Sequence, residues 1–256
     1  YIAGEDPLQS FPNRDLVKNA LRTVPFLVVQ DVFMTDSARM ADIVLPTSSF
    51  AEREGTFTNL TRHVQRVAPA TLPQGMSKPD YDIFIELAEE LNQPFAHTYV
   101  PDLQEEIARV APSYAGTFPG TESKQWNPAG VTSQPGFWIG EPLEEPPAPD
   151  GYPFRLVSNN HMFHIGGYSQ YAKALVDIGP ECIAELHPDD AERLQIEPGD
   201  RIRVESPAGA VDVKAGVSWV TCPGQVYIPK NWPEVPVNTL RNGQEGPVPV
   251  KIFKAE

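Results

Sequence analysis

The sequence predicts an α/β chain in which part of a parallel sheet precedes a compact β barrel. Three observations carry that expectation. The apolar runs Phe26–Val29 and Ile43–Leu45 alternate with segments of helical periodicity, which is the grammar of βαβ units. Farther along, Arg201–Glu205 and Ala210–Val217 alternate polar and apolar residues on either side of Pro207, Ala208 and Gly209, the pattern of a hairpin. Between these regions, from Pro112 to Pro153, proline and glycine displace the periodic apolar residues, so the segment suits an extended inter-domain strap.

The elements follow in order. Tyr1–Ala3 has the character of a strand that leaves a core and turns at Gly4, which implies a start in mid-domain, whether as a fragment, a processed product or a split subunit. Asn13 is placed to cap a helix whose Leu16, Val17, Ala20 and Leu21 share one face. Phe26–Val29 is a strand ending at Asp31, Asp36–Met40 a short connection, and Ile43–Leu45 the next buried strand. That strand runs through Pro46 toward Glu54–Asn59, read as a glycine turn and polar hook at the carboxyl edge of the sheet, where α/β folds present amides and small side chains to ligands. Asp80–Leu91 is a helix with a core-facing stripe of Ile83, Phe84, Leu87, Ala88 and Leu91. Trp126, Phe137 and Trp138 would pin the strap to a domain surface. Strands are expected at Phe154–Val157 and Ile183–Leu186, then a short helix entered through Pro188 with Asp189 and Asp190 at its positive end. Glu197–Asp200 is a tight turn before the hairpin, and Val226–Ile228 closes the set into a barrel.

Composition excludes several function classes. The 256 residues are 41% hydrophobic, enough for real cores, and carry a formal charge of −14, which repels phosphate backbones and anionic lipid alike. Neither nucleic acid nor direct membrane insertion is expected. No apolar run approaches the ~20 residues of a bilayer span, and a cytoplasmic location follows as the expectation. Cys182 and Cys222 lie apart and outside any CxxC, so neither an iron–sulfur cluster nor a zinc site is expected, and both are read as buried, reduced cysteines. The sequence contains neither a Gly-x-Ser-x-Gly elbow nor a Walker loop, which leaves hydrolase and nucleoside-triphosphatase readings without support.

Two places remain as candidate binding sites. Thr56, Thr58 and Asn59 present short donors and acceptors that suit either a cofactor or a neighbouring loop. Gly166 and Gly167 suit either a plain loop or a backbone cradle for phosphate. His161 and His164 have no carboxylate cluster beside them and are read as hydrogen-bonding residues, and His187 as a cap or packing residue. Glu5, Glu52 and Glu54 have no spacing that would fix a substrate between them, which favours solvated or capping roles over general acid–base catalysis.

The run from Gly4-Glu5-Asp6-Pro7 through Asp31, Thr35–Ala38, Ala41–Pro46, Ser49–Glu52 and Glu54–Asn59 resembles the later half of the α/β core of molybdopterin oxidoreductases. Phe154–Pro229, above all His187–Ala191, Leu194 and Gly199-Asp200, resembles that family's molybdopterin-dinucleotide-binding domain, a double-psi β barrel. The resemblance implies three parts: residues 1–111 as the carboxy-terminal half of the α/β core, 112–153 as the strap, and 154–256 as the barrel. The family includes formate dehydrogenases, nitrate reductases and the large iron–sulfur (G-type) subunit of NADH-quinone oxidoreductase, respiratory complex I.

The chain departs from the cofactor-binding pattern in a consistent direction. Asn160 and Gln170 stand where that pattern has arginines, and Thr61 and His63 where it has a glutamate and an arginine. A guanidinium meets phosphate oxygens bidentately, at about twice the strength of a neutral hydrogen bond, so these exchanges weaken a pyrophosphate grip. The resemblance with these departures implies the carboxy-terminal part of the large iron–sulfur subunit of complex I. Such a region is a scaffold with no catalytic residue, metal ligand or cofactor of its own. It sits in the peripheral arm of a membrane-bound complex, beside other respiratory subunits and an amino-terminal iron–sulfur half. The alternative is the carboxy-terminal part of a molybdenum or tungsten enzyme such as a formate dehydrogenase. There Thr56, Asn59, Gly166, Gly167 and Gln170 would line a site for molybdopterin guanine dinucleotide. A stand-alone binding module fits least, because half a sheet leaves unpaired edges.

Overall fold

A computed structural model describes residues 1–117, 124–125, 149–164, 166–179, 181–243 and 247–255. Trp126, Phe137 and Trp138, and with them most of the strap, lie outside the described residues. The chain runs β1 (Ile2–Ala3), α1 (Pro7–Ser10), α2 (Arg14–Thr23), β2 (Val28–Asp31), β3 (Ile43–Pro46), β4 (Gly55–Thr58), β5 (His63–Val67), α3 (Asp80–Glu90), α4 (Val100–Val110) and β6 (Lys124–Gln125). It continues with β7 (Phe154–Val157), α5 (Lys173–Ile178), β8 (Ile183–Leu186), α6 (Pro188–Leu194), β9 (Arg201–Ser206), β10 (Gly209–Val217), β11 (Gln225–Tyr227) and β12 (Val248–Lys254). By their contacts the described residues fall into two compact units, one within Tyr1–Gly4 and Leu27–Glu141, the other within Glu5–Phe26 and Pro142–Glu256.

In the first unit β1, β2 and β3 form a parallel sheet in that order, with Ile2 beside Val29 and Val28 beside Ile43. The middle strand has neighbours on both sides, and Val29, Gln30 and Asp31 are accordingly buried. β3 is at the margin of the described sheet, and Ile43 is 44% exposed, so the expectation of a buried strand fails there. An apolar triplet carries no information on which strand order will flank it.

Glu54–Asn59 likewise departs from expectation. It is not a hook at the carboxyl edge of the parallel sheet. β4 pairs antiparallel with β5, and β5 with β6, in a separate sheet. Asn59 and Arg62, the latter at φ 66°, close the β4–β5 turn. α3 starts after Pro79 with Asp80 and Asp82 in its first turn, where the helix dipole favours acids. Of its stripe, Ile83 and Ala88 are buried while Phe84 and Leu91 are exposed, so the core-packing expectation holds for part of the face. α4 lies beyond the elements expected from sequence, although Pro101 and Asp102 in its first turn and Arg109 in its last are ordinary helix signals.

In the second unit six strands close a barrel in the order β10-β8-β11-β7-β12-β9. Two pairs, β10 with β8 and β11 with β7, are parallel, and the other four are antiparallel. β9 shows why its sequence forms a wall: Ile202, Val204 and Ser206 are buried while Arg201 and Arg203 face solvent. Phe154, Leu186, Val226, Ile228 and Val250 complete the centre of the core.

The set does not close at Val226–Ile228 as the sequence suggested; β12 supplies the seam, pairing with β7 through Val248–Val250 and with β9 through Lys251–Lys254. Pro249 is tolerated because the β9 ladder starts only beyond it.

The segment bearing α1 and α2 packs with this second unit. Asn13 N–H donates to the carbonyl of Asn238 at 3.0 Å, and Asn238 Nδ2 donates to the carbonyl of Gln9. Asn13 also caps α2, its side chain accepting the Leu16 N–H at 3.1 Å. No residue of α2 is buried.

Candidate functional site

The residues singled out by sequence occupy two places, one in each unit. In the first unit Thr56 lies within β4 opposite Arg66, and Asn59 ends the strand. The Asn59 side chain is turned onto its own loop: Oδ1 accepts the His63 N–H at 2.8 Å and the Thr61 hydroxyl at 2.9 Å. Thr58 Oγ1 lies 3.5 Å from the Tyr114 hydroxyl. The carboxylates nearby act in local structure. Glu52 accepts the Ser49 N–H at 2.7 Å, and Glu54 faces Arg66 at 3.5 Å.

A polar cluster that sequence reading missed lies at the carboxyl end of the parallel strands. Asp80 Oδ1 accepts from Gln30 Nε2 at 2.6 Å and from the Thr47 hydroxyl at 2.7 Å, while Asp80 Oδ2 pairs with Arg53. Gln30 Oε1 in turn accepts from the Tyr1 hydroxyl. Gln30 is fully buried in the middle strand, where an amide survives only with its hydrogen bonds met. The signal was available in a glutamine standing inside an apolar strand.

In the second unit the loop Gly166–Gln170 carries the other candidates. Gly166 N–H donates to Ser169 Oγ at 3.3 Å, and Ser169 Oγ donates to the Gly166 carbonyl at 2.7 Å. Gln170 Nε2 reaches the Gly167 carbonyl at 2.8 Å and Gln9 Oε1 at 3.3 Å. Gln9, in α1, also donates through Nε2 to the carbonyl of Asn231 at 3.4 Å. His164 donates to that carbonyl from Nε2 at 2.5 Å, its Nδ1 lies 2.8 Å from Ser169 Oγ, and its ring meets Trp232 edge-on at 4.3 Å. Asn160 Oδ1 accepts from Asn231 Nδ2 at 3.0 Å. A cavity of about 220 Å³ beside this network is lined by His164, Gln170, Leu175, Val176, Trp232 and Glu234.

Both hydrogens of the Gln170 amide, the Gly166 N–H and the Asn160 carbonyl oxygen are already matched inside the protein, and each group is neutral. Gln9 and Asn231, which bind the loop together, were not singled out from sequence. Gln9 sits in a four-residue helix without periodicity, and Asn231 takes part through its main-chain oxygen as well as its side chain.

The remaining candidates are structural. His187 caps α6, its Nδ1 accepting the Asp189 N–H at 3.2 Å, with Trp219 edge-on at 5.2 Å. Among the described residues no group of three or more His, Cys, Asp or Glu is placed to hold a metal ion. Cys182 is buried, and burial, reinforced by Glu234 and Glu181, pushes its thiol up to about 12. Cys222 is exposed, against the expectation that both are buried; it stands in a surface turn before β11. No helix among the described residues is long and apolar enough to cross a membrane.

Comparison with known proteins places this geometry. Residues 1–90 match the molybdopterin oxidoreductase family, and residues 154–248 match the molydopterin dinucleotide binding domain. An F420-dependent formate dehydrogenase subunit alpha of Methanocaldococcus jannaschii is 35% identical over 94% of this chain and 40% of its own length. A G-type subunit of the NADH-quinone oxidoreductase of Rhizobium meliloti is 32% identical over 98% of this chain and 29% of its own. NADPH-Fe(3+) oxidoreductase subunit alpha of Geobacter sulfurreducens is 32% identical over 100% and 30%. The chain thus spans well under half the length of the curated relatives it matches. Acetylene hydratase from Pelobacter acetylenicus shares the fold, with a TM-score of 0.72 over 99% of this chain and 44% of that one, at 20% identity.

Proposed function

The chain belongs to the molybdopterin oxidoreductase family, and from that premise we propose that it is a scaffold region of the large iron–sulfur (G-type) subunit of an NADH-quinone oxidoreductase, respiratory complex I. It supports electron transfer from NADH to quinone within a multi-subunit complex and contributes no redox centre of its own. One observation carries this reading. The two positions where a dinucleotide-binding relative would place phosphate-gripping cations hold Asn160 and Gln170, neutral amides bonded to other parts of the same unit. The similarity to a G-type subunit at 32% identity supports it. The reading includes a division at residues 1–111, 112–153 and 154–256, a place in the cytoplasmic peripheral arm, and contacts with neighbouring subunits and an iron–sulfur half.

The test is elemental analysis of the intact protein purified from its source. Iron without stoichiometric molybdenum or tungsten is expected. One molybdenum or tungsten per chain overturns the proposal.

A second reading is favoured by the 35% identity to a formate dehydrogenase subunit alpha. In it the chain is the cofactor-binding part of a molybdenum or tungsten enzyme, and Thr56, Asn59, Gly166, Gly167 and Gln170 contact molybdopterin guanine dinucleotide. That reading requires the loop Gly166–Gln170 to give up its internal hydrogen bonds.

A further inference from the structure

We infer that Gln9 is an internal plug: its carboxamide occupies the ground beside Gly167 that the alternative reading of the sequence would give to a diphosphate, and it holds the loop Gly166–Gln170 closed against a diphosphate-linked nucleotide. The inference rests on the scaffold reading and supplies its physical means.

The geometry is specific. A Cβ added at Gly167 would come within 3.4 Å of Gln9 Oε1, so the side chain lies directly against the glycine backbone. Its acceptor end takes a hydrogen from Gln170 and its donor end gives one to Asn231, which makes a single carboxamide the link between two loops. The main chain of the same residue is held as well, by Asn238 Nδ2 on its carbonyl. From Asn231 the network passes through His164 to Ser169 and back to Gly166.

Every step is amide, hydroxyl, imidazole or main chain, without a lysine or arginine among them. A diphosphate arriving here would have to displace Gln9 and would meet neutral donors. Charge-assisted contacts to phosphate are about twice as strong as neutral ones, so the exchange is unfavourable in both respects.

The experiment uses the full protein and GDP as the probe, with calorimetry and Trp232 fluorescence as readouts. Wild type is expected to show no saturable binding at about 1 mM GDP. Asn160→Arg/Gln170→Arg, which removes the Gln170 amide but keeps Gln9 and its bond to the Asn231 carbonyl, is compared with the same pair plus Gln9→Ala. Removing the plug is expected to tighten GDP binding roughly tenfold or more over the double variant. Saturable binding by wild type, or equal binding by the double and triple variants, overturns the inference.

Because the arginine variants place new charges in a packed loop, a second measurement uses Gln9→Ala alone. Hydrogen exchange of Gly166–Gln170 is expected to accelerate about tenfold, and unchanged exchange overturns the plug. Elemental analysis judges the scaffold reading separately: a protein free of molybdenum and tungsten whose loop ignores Gln9→Ala loses the plug and keeps the scaffold.

Discussion

Asp190 Oδ2 accepts the backbone N–H of Gly224 at 2.6 Å, tying the first turn of α6 to the turn that launches β11. The other oxygen takes Arg193 Nη2 at 2.6 Å, and the guanidinium stands over the Phe154 ring at 5.3 Å. The Gly224 carbonyl accepts the Arg155 N–H at 2.9 Å, so the same turn aligns β11 beside β7. Asp190 is buried, and removing it leaves the half-buried Gly224 N–H without this acceptor. Hydrogen bonds to charged groups contribute about 1.5–3 kcal/mol, and Asp190→Ala is expected to cost about 2 kcal/mol in urea unfolding. Asp190→Asn retains an acceptor and should cost less; equal losses would mean that a neutral acceptor contributes nothing there and the carboxylate charge carries the whole effect.

Gly209 opens β10 with the Thr239 carbonyl against it. A Cβ there would fall 2.8 Å from Thr239 Cγ2 and 2.9 Å from Thr239 O. The methyl can rotate away, but the main-chain oxygen belongs to the turn Val237–Leu240, whose Leu240 is part of the barrel core. Gly209→Ala is expected to destabilise the barrel unit by about 1–3 kcal/mol, the range of overpacking, as read by a lowered midpoint with an unchanged urea slope. A neutral effect would show that the turn shifts freely.

What could be read from sequence follows from how local each signal is. The alternation in Arg201–Ser206 and the turn at Glu197–Asp200 act within a few residues, and both appear where expected. The helix capped by Asn13 was equally legible, but its membership in the barrel unit was not. That depends on Asn238, 225 positions away in the sequence from Asn13. β5 is hard to see in sequence because His63–Val67 draws notice for the chemistry of its side chains and only weakly for its alternation. In the candidate site the neutral amides Asn160 and Gln170 were visible. Their closure by Gln9 was not, since a carboxamide facing a glycine leaves no period or motif.

The two cysteines separate in reactivity. The thiolate is the nucleophile, and burial holds the Cys182 thiol near 12, so it is protonated at neutral pH and shielded as well. Cys222 is exposed. A thiol reagent at neutral pH is expected to label Cys222 within minutes and Cys182 only after denaturation, read by mass spectrometry of the labelled peptides. Fast labelling of Cys182 in the folded protein would refute the burial that keeps it protonated.

The barrel seam carries a pH signature. Asp200 accepts from Lys254 Nζ at 2.8 Å and from the Glu197 N–H at 2.7 Å, joining the turn before β9 to the end of β12. The Lys254 hydrogen bond, then the Glu197 N–H, hold this carboxyl below its ordinary 3.8. In the unfolded chain the group binds its proton at the ordinary value and in the folded chain only at lower pH. The contribution to stability is therefore complete above the ordinary value and is lost as pH falls through the lowered one. Asp200→Asn keeps an acceptor for Glu197 but removes the charge facing Lys254. Its melting temperature should lie below that of wild type near neutral pH, and the gap should close as pH drops below about 4. Since the pair is solvent-accessible, the gap at neutral pH should also narrow in about 1 M salt. A gap of the same size at low pH and at neutral pH would assign the loss to side-chain shape, and the charge pairing across the seam would be rejected.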